Sequence, residues 1–153
     1  MQRRKNIRLE HHLYKSEGMF FITICTDKRR CLLGNIYKEK MYLSPIGLGV
    51  QEEIAQFSVF HPDAVIKASV VMPNHVHFLM EYNGETIHIG KIISGFKAAI
   101  SRQFGKGIWQ RNYYEHIVRD NNEYWEIVKY IENNPLQWYF DKNYVPDVQQ
   151  SIL

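Results

Sequence analysis

A chain of 153 residues with 45% hydrophobic and 23% charged residues can bury a real core and is too apolar for a disordered polymer. Its formal net charge of +3 excludes a strongly basic coat, so a nucleic-acid partner has to be met by local patches. Cys25 and Cys31 form neither a CxxC nor a zinc-ribbon spacing, and no apolar run approaches the roughly 20 residues of a membrane span. These features predict one reduced, cytoplasmic domain over residues 1–153, with no signal peptide and no membrane partner.

"MFFITICT" (19–26) is aromatic and β-branched and predicts a strand closed by the basic turn "DKRR". "IGLGVQEEIAQFSVF" (46–60) follows a proline and carries Leu48, Ile54 and Phe57 at helical spacing. "AVIKASVVM" (64–72) predicts a strand with Ile66, Ala68, Val70 and Met72 on one face. Pro73-Asn74 interrupts it, and "HVHFLMEY" (75–82) predicts the adjoining strand. Strand alternation then turns Val76, Phe78, Met80 and Tyr82 one way, and His75, His77, Leu79 and Glu81 the other.

"IGKIISGFKAAISRQF" (89–104) predicts an amphipathic helix burying Ile89, Ile92, Ile93, Phe96, Ile100 and Phe104. "IWQRNYYEHIVR" (108–119) predicts mostly strand, and "NNEYWEIVKYIENN" (121–134) a helix. Asp120 is placed as its N-cap, Glu123 stands in capping-box position, and Pro135 is expected to stop it. Residues 136–153 then form a short aromatic tail. The order β–α–β–β–α–β plus a helix predicts an α+β, ferredoxin-like (RRM-like) antiparallel sheet with two helices on one face. The last helix is left to cover the histidine face.

On that helix Tyr124, Ile127, Val128 and Ile131 form an apolar stripe, with Tyr130 and Asn134 along one border. Packing the stripe on the sheet brings Tyr130 and Asn134 toward His75 and His77. Two imidazoles and an amide oxygen can hold a divalent cation with positions left for phosphate, and a phenol beside it can act as nucleophile. Taken singly, each feature has a plainer reading: coincident strand histidines, a tyrosine at a core edge, an ordinary Asn-Pro helix stop.

"MPNHVHF", "IWQRNYYEHIVRD" and "YIENNP" together resemble the REP-associated tyrosine transposases of the HUH single-strand transposase group. The likeness begins at "FFITICTDKRRCLLG" and runs through Pro135. It implies a transposase that nicks and rejoins single-stranded, hairpin-bearing DNA near the nucleoid, using Mg²⁺ or Mn²⁺ and a 5′-phosphotyrosine intermediate. His75 and His77 match the family's metal pair, Tyr130 its nucleophile and Asn134 its further polar ligand. The tail "LQWYFDKNYVPDVQQSIL" departs from the family pattern.

Asn133 ranks second to Asn134 as ligand, His116 is read as structural or supporting, and Tyr113, Tyr114 and Tyr139 are competing phenols. Arg3, Arg4, Lys5, Lys97, Arg102, Arg111 and Arg119 are the candidate phosphate contacts. Monomer and homodimer are both left open. Alternative readings are a replication or mobilisation nickase of the same chemistry, a metal-dependent hydrolase without a covalent step, and a non-catalytic RRM-like nucleic-acid-binding module.

Overall fold

The computed structural model describes residues 18–84, 88–141 and 143–144. Strands β1 (Met19–Cys25), β4 (Ala64–Met72), β5 (His75–Tyr82) and β6 (Tyr114–Ile117) form one antiparallel sheet in the order β4-β5-β1-β6. Helices α1 (Pro45–Ala55) and α3 (Ile89–Phe104) supply the two crossovers. Their apolar sides pack on the face carrying Phe20, Ile22, Ile24, Val76, Phe78 and Met80. Helix α4 (Asn121–Asn133) lies on the opposite face, where Ile131, Tyr124, Ile127 and Val128 meet Leu79, Ala68 and Val70. This is the ferredoxin-like arrangement, with one helix over the histidine side.

Several local expectations change. The predicted helix 46–60 divides into α1 and a short α2 (Phe57–Phe60), with Gln56 between them outside helical geometry. A hairpin of β2 (Gly34–Tyr37) and β3 (Lys40–Leu43) was not expected. Its two turn residues, Lys38 and Glu39, both have positive φ (51° and 65°) without the Asn-Gly signal that usually marks such turns. The register of β4 against β5 shifts between Ile66 and Ala68. That bulge re-aims the strand: Ile66 joins the core under the crossover helices, whereas Ala68 and Val70 face α4.

Only Tyr114–Ile117 of the expected strand 108–119 pairs in the sheet, with Trp109 making an isolated bridge to Thr26. The carbonyls of Gln110, Arg111 and Asn112 instead accept from the Lys97 ammonium at 2.7, 3.3 and 3.0 Å. The α-helix stops at Asn133, as expected before Pro135, yet the chain stays in helical geometry. Asn134 keeps an α conformation (φ −55°, ψ −47°), and Pro135–Phe140 continues as a 3₁₀ helix. The stretch read as a tail is therefore built into the fold, and Trp138 is fully buried against Cys31, Ile36 and Met72.

Candidate active site

Pro73 and Asn74 form the tight connection between β4 and β5, so His75 opens β5 opposite Met72 and Cys25. His75 and His77 are both buried, their ring centroids 4.6 Å apart. Each ring is oriented through Nδ1. The Nδ1–H of His75 donates to Asn74 Oδ1 at 2.9 Å. That amide cannot turn over without loss, because its Nδ2 already donates to the carbonyls of Asn143 (2.7 Å) and Arg29 (3.2 Å). On the neighbouring strand, Thr23 Oγ1 lies 2.8 Å from His77 Nδ1. These contacts engage Nδ1 of both rings, so Nε2 is the nitrogen that would serve as a metal ligand.

Helix α4 brings its tyrosine to the same place, within one chain. The Tyr130 ring meets His77 edge-on (centroids 5.4 Å) and Phe21 at 6.1 Å, while Phe21 stacks on His77 at 5.2 Å. Tyr130 stays 46% exposed, so a phenol held by packing also reaches solvent. Burial pushes its pKa up, the Asn134 side chain pulls it down, and Asp141 raises it again; the net direction is up. Asn134 is buried one turn later, with Nδ2 donating to the Tyr130 carbonyl at 2.8 Å. Its Oδ1 is buried and accepts no hydrogen bond among the described residues. Asn133, the second-ranked ligand, is exposed.

One residue that sequence reasoning missed completes the cluster. Asp141 follows the 3₁₀ helix, and its Oδ2 lies 3.5 Å from His75 Nε2. One ligand atom from each of His75, His77 and Asp141 fall within 4.8 Å of one another. Two imidazole nitrogens and a carboxylate oxygen are a donor set that fits a divalent cation such as Mn²⁺ or Mg²⁺. No local spacing announces Asp141; sequence signals of this kind exist only for ligands on one element.

Of the basic candidates, Arg102, Arg111 and Arg119 are exposed. Lys97 is committed to three backbone carbonyls, and burial lowers its pKa. Arg3, Arg4 and Lys5 lie outside the described residues. Lys28 and Arg29, which the sequence reading passed over, are exposed on the turn whose Arg29 carbonyl accepts from Asn74. His116 sits on edge strand β6 and pairs with Glu123 of α4, a structural contact. Tyr113 donates to Glu115, and Tyr114 and Tyr139 are exposed. Cys25 and Cys31 are buried and not joined in a disulfide. Among the described residues no helix is long and apolar enough to cross a membrane.

A ferredoxin-like sheet carrying a His-x-His pair under a tyrosine-bearing helix resembles the HUH class of tyrosine transposases. No family model matches the chain. It is 37% identical to an uncharacterised protein of Haemophilus influenzae over 168 residues, covering 93% of each chain. A second Haemophilus influenzae protein, named "Putative REP-associated tyrosine transposase", is 27% identical over 135 residues, covering 78% of this chain and 71% of that one. Among solved structures, a REP-associated tyrosine transposase bound to a REP hairpin has a similar fold (TM-score 0.66, 24% identity, 82% of this chain and 70% of that one). A "putative transposase" from Deinococcus radiodurans is similar at TM-score 0.53, with 19% identity over 75% of this chain and 88% of that one. Sequence blocks, a named sequence relative and the fold thus agree in their likeness to the REP-associated tyrosine transposases.

Proposed function

We propose that this protein nicks and rejoins single-stranded DNA beside hairpins, through a covalent 5′-phosphotyrosine on Tyr130. The observation that carries the reading is the Tyr130 ring packed on His77 while nearly half of the tyrosine remains open to solvent. The phenol oxygen bonds to the scissile phosphorus as the bond to the 3′ oxygen breaks. The phenol proton passes to solvent and the departing 3′ oxygen takes one up, leaving a free 3′-hydroxyl. Rejoining is the reverse attack by a 3′-hydroxyl on the phosphotyrosine, so no external energy source is needed.

His75 and His77 would hold the cation, with the Asn134 oxygen beside them. When bound, a divalent cation supplies Lewis acidity that polarises a phosphoryl oxygen and offsets developing charge. Asn74 and Thr23 keep both Nε2 atoms turned into the site. Arg102, Arg111, Arg119, Lys28 and Arg29 are exposed cations available to meet phosphates. A Lys97 saturated by carbonyls drops out of that set. The open-sheet platform of an RRM-like binder is covered here by α4, which weighs against a non-catalytic module. The test is incubation with a hairpin bearing a single-stranded flank in the presence of Mn²⁺, read on a denaturing gel. A covalent protein–DNA band and a shortened product are expected; uncut DNA at saturating protein would sink the proposal.

A further inference from the structure

Resting on that reading of the metal site, we propose that Asp141 is one of its protein ligands, delivered by the arm that follows α4 and not by α4 itself. The resemblance points to a polar ligand one turn after Tyr130 and to nothing beyond Pro135. Asp141 nevertheless puts Oδ2 3.5 Å from His75 Nε2, with its side chain only 6% exposed. Metal–ligand bonds of about 2.1 Å place neighbouring ligand atoms about 3 Å apart and opposite ones about 4.2 Å apart. The 3.5 Å pair of His75 and Asp141 needs to close by only about half an ångström to share a cation as neighbouring ligands.

The arm is built to hold the carboxylate there. Trp138, fully buried, stacks over His75 at 6.3 Å and fixes the 3₁₀ helix. Asp141 Oδ1 accepts from the Asn143 backbone N–H at 2.8 Å, which turns Oδ2 toward the imidazole. The Asn143 carbonyl in turn accepts from Asn74, the residue that orients His75. One short arm thus supplies a ligand and helps orient another. Charge argues the same way: two neutral imidazoles and an amide carry no negative charge, and a carboxylate raises affinity for a divalent cation. The plainer alternative is an ion pair between Asp141 and a protonated His75, which predicts no role in metal affinity.

Calorimetric titration of the full chain with Mn²⁺, free of DNA, separates the two. Asp141→Asn keeps the Oδ1 acceptor and the side-chain shape while removing the charge; it should weaken Mn²⁺ binding about tenfold or more. His75→Ala and His77→Ala should abolish it. Wild-type affinity in Asp141→Asn alongside loss in both histidine variants overturns this inference and leaves the metal reading standing. Undiminished binding in all three variants overturns both. Should the asparagine variant not fold, Asp141→Cys loaded with Co²⁺ gives a second readout. A thiolate-to-cobalt charge-transfer band absent from the wild-type chain is expected, and a folded cysteine variant lacking it counts against the ligand.

Discussion

Loss of one oxygen from Tyr130 separates chemistry from packing. Its ring contacts with His77 and Phe21 are made by carbon edges and survive in Tyr130→Phe. That variant should lose nicking and adduct altogether, while its stability changes by no more than about 1 kcal/mol and hairpin binding persists. An adduct formed by the phenylalanine variant would move the nucleophile to another tyrosine. Thr23→Val is a near-isosteric test of the support beneath His77. It removes the hydroxyl 2.8 Å from Nδ1 and should lower Mn²⁺ affinity by roughly 10–100-fold, with the melting temperature little changed. Equal Mn²⁺ titrations for wild type and Thr23→Val would remove Thr23 from the site. At this scale the residues readable in sequence were those whose partners are near in chain: His75 with His77, two apart on a strand, and Tyr130 with Asn134, one helical turn apart. Thr23 and Asp141 reach the histidines from 54 and 66 residues away along the chain, His77 − Thr23 and Asp141 − His75. No local pattern encodes such a pairing.

Elements followed their apolar periodicity wherever a whole face was buried, as in α3 and β5. They departed from it where one side chain or one extra residue decided the matter. Lys97 is the clearest case: a long exposed-face cation in sequence, it folds over to satisfy three carbonyls that a strand would otherwise have paired. Lys97→Ala should therefore cost about 1 kcal/mol in urea unfolding, since charge-assisted hydrogen bonds to three partly or fully exposed carbonyls are lost. Hairpin affinity and its salt slope should stay near wild type; a slope reduced by about one would instead restore Lys97 as a phosphate contact.

The start of α4 carries a pH signature. Asp120 accepts from the Glu123 N–H (2.9 Å) and Glu123 from the Arg119 N–H (2.8 Å), one residue earlier than a standard capping box. Partial burial raises the Glu123 pKa, but the Arg119 N–H and His116 outweigh it, so the folded value lies below 4.5. The contact is fully present above the unfolded-state value and is lost as pH falls through the lower folded one. Glu123→Gln should cost about 1 kcal/mol at pH 7 and progressively less in acid, read by urea melts at both ends. A gap that does not narrow in acid would assign the effect to packing.

The whole molecule adds a constraint that neither a residue nor an element shows. The topology of the sheet and the side occupied by α4 were legible, because six elements of known order leave few ways to bury their faces. That the aromatic stretch after Pro135 returns to wall the site was not, since Trp138 finds its cavity only when β2, β4 and the arm are all in place. On the proposed function, the phosphodiester has to reach His77 beside Tyr130 at the border between α4 and the sheet. A single strand can bend to that border, whereas a matched duplex keeps its backbone too stiff. Five of the exposed cations stand on separate elements, Lys28 and Arg29 on the turn after β1, Arg102 on α3, Arg111 and Arg119 around β6. A hairpin stem offers phosphates on two strands to such scattered charges while its flank reaches Tyr130. Cutting is therefore expected at the single-stranded foot of a hairpin, with binding that weakens steeply as salt rises. Three substrates of one sequence family resolve it: a hairpin with flank, the same sequence fully paired, and an unstructured strand. Equal cutting of the paired duplex would sink single-strand entry, and equal cutting of the unstructured strand would show that the stem contributes nothing.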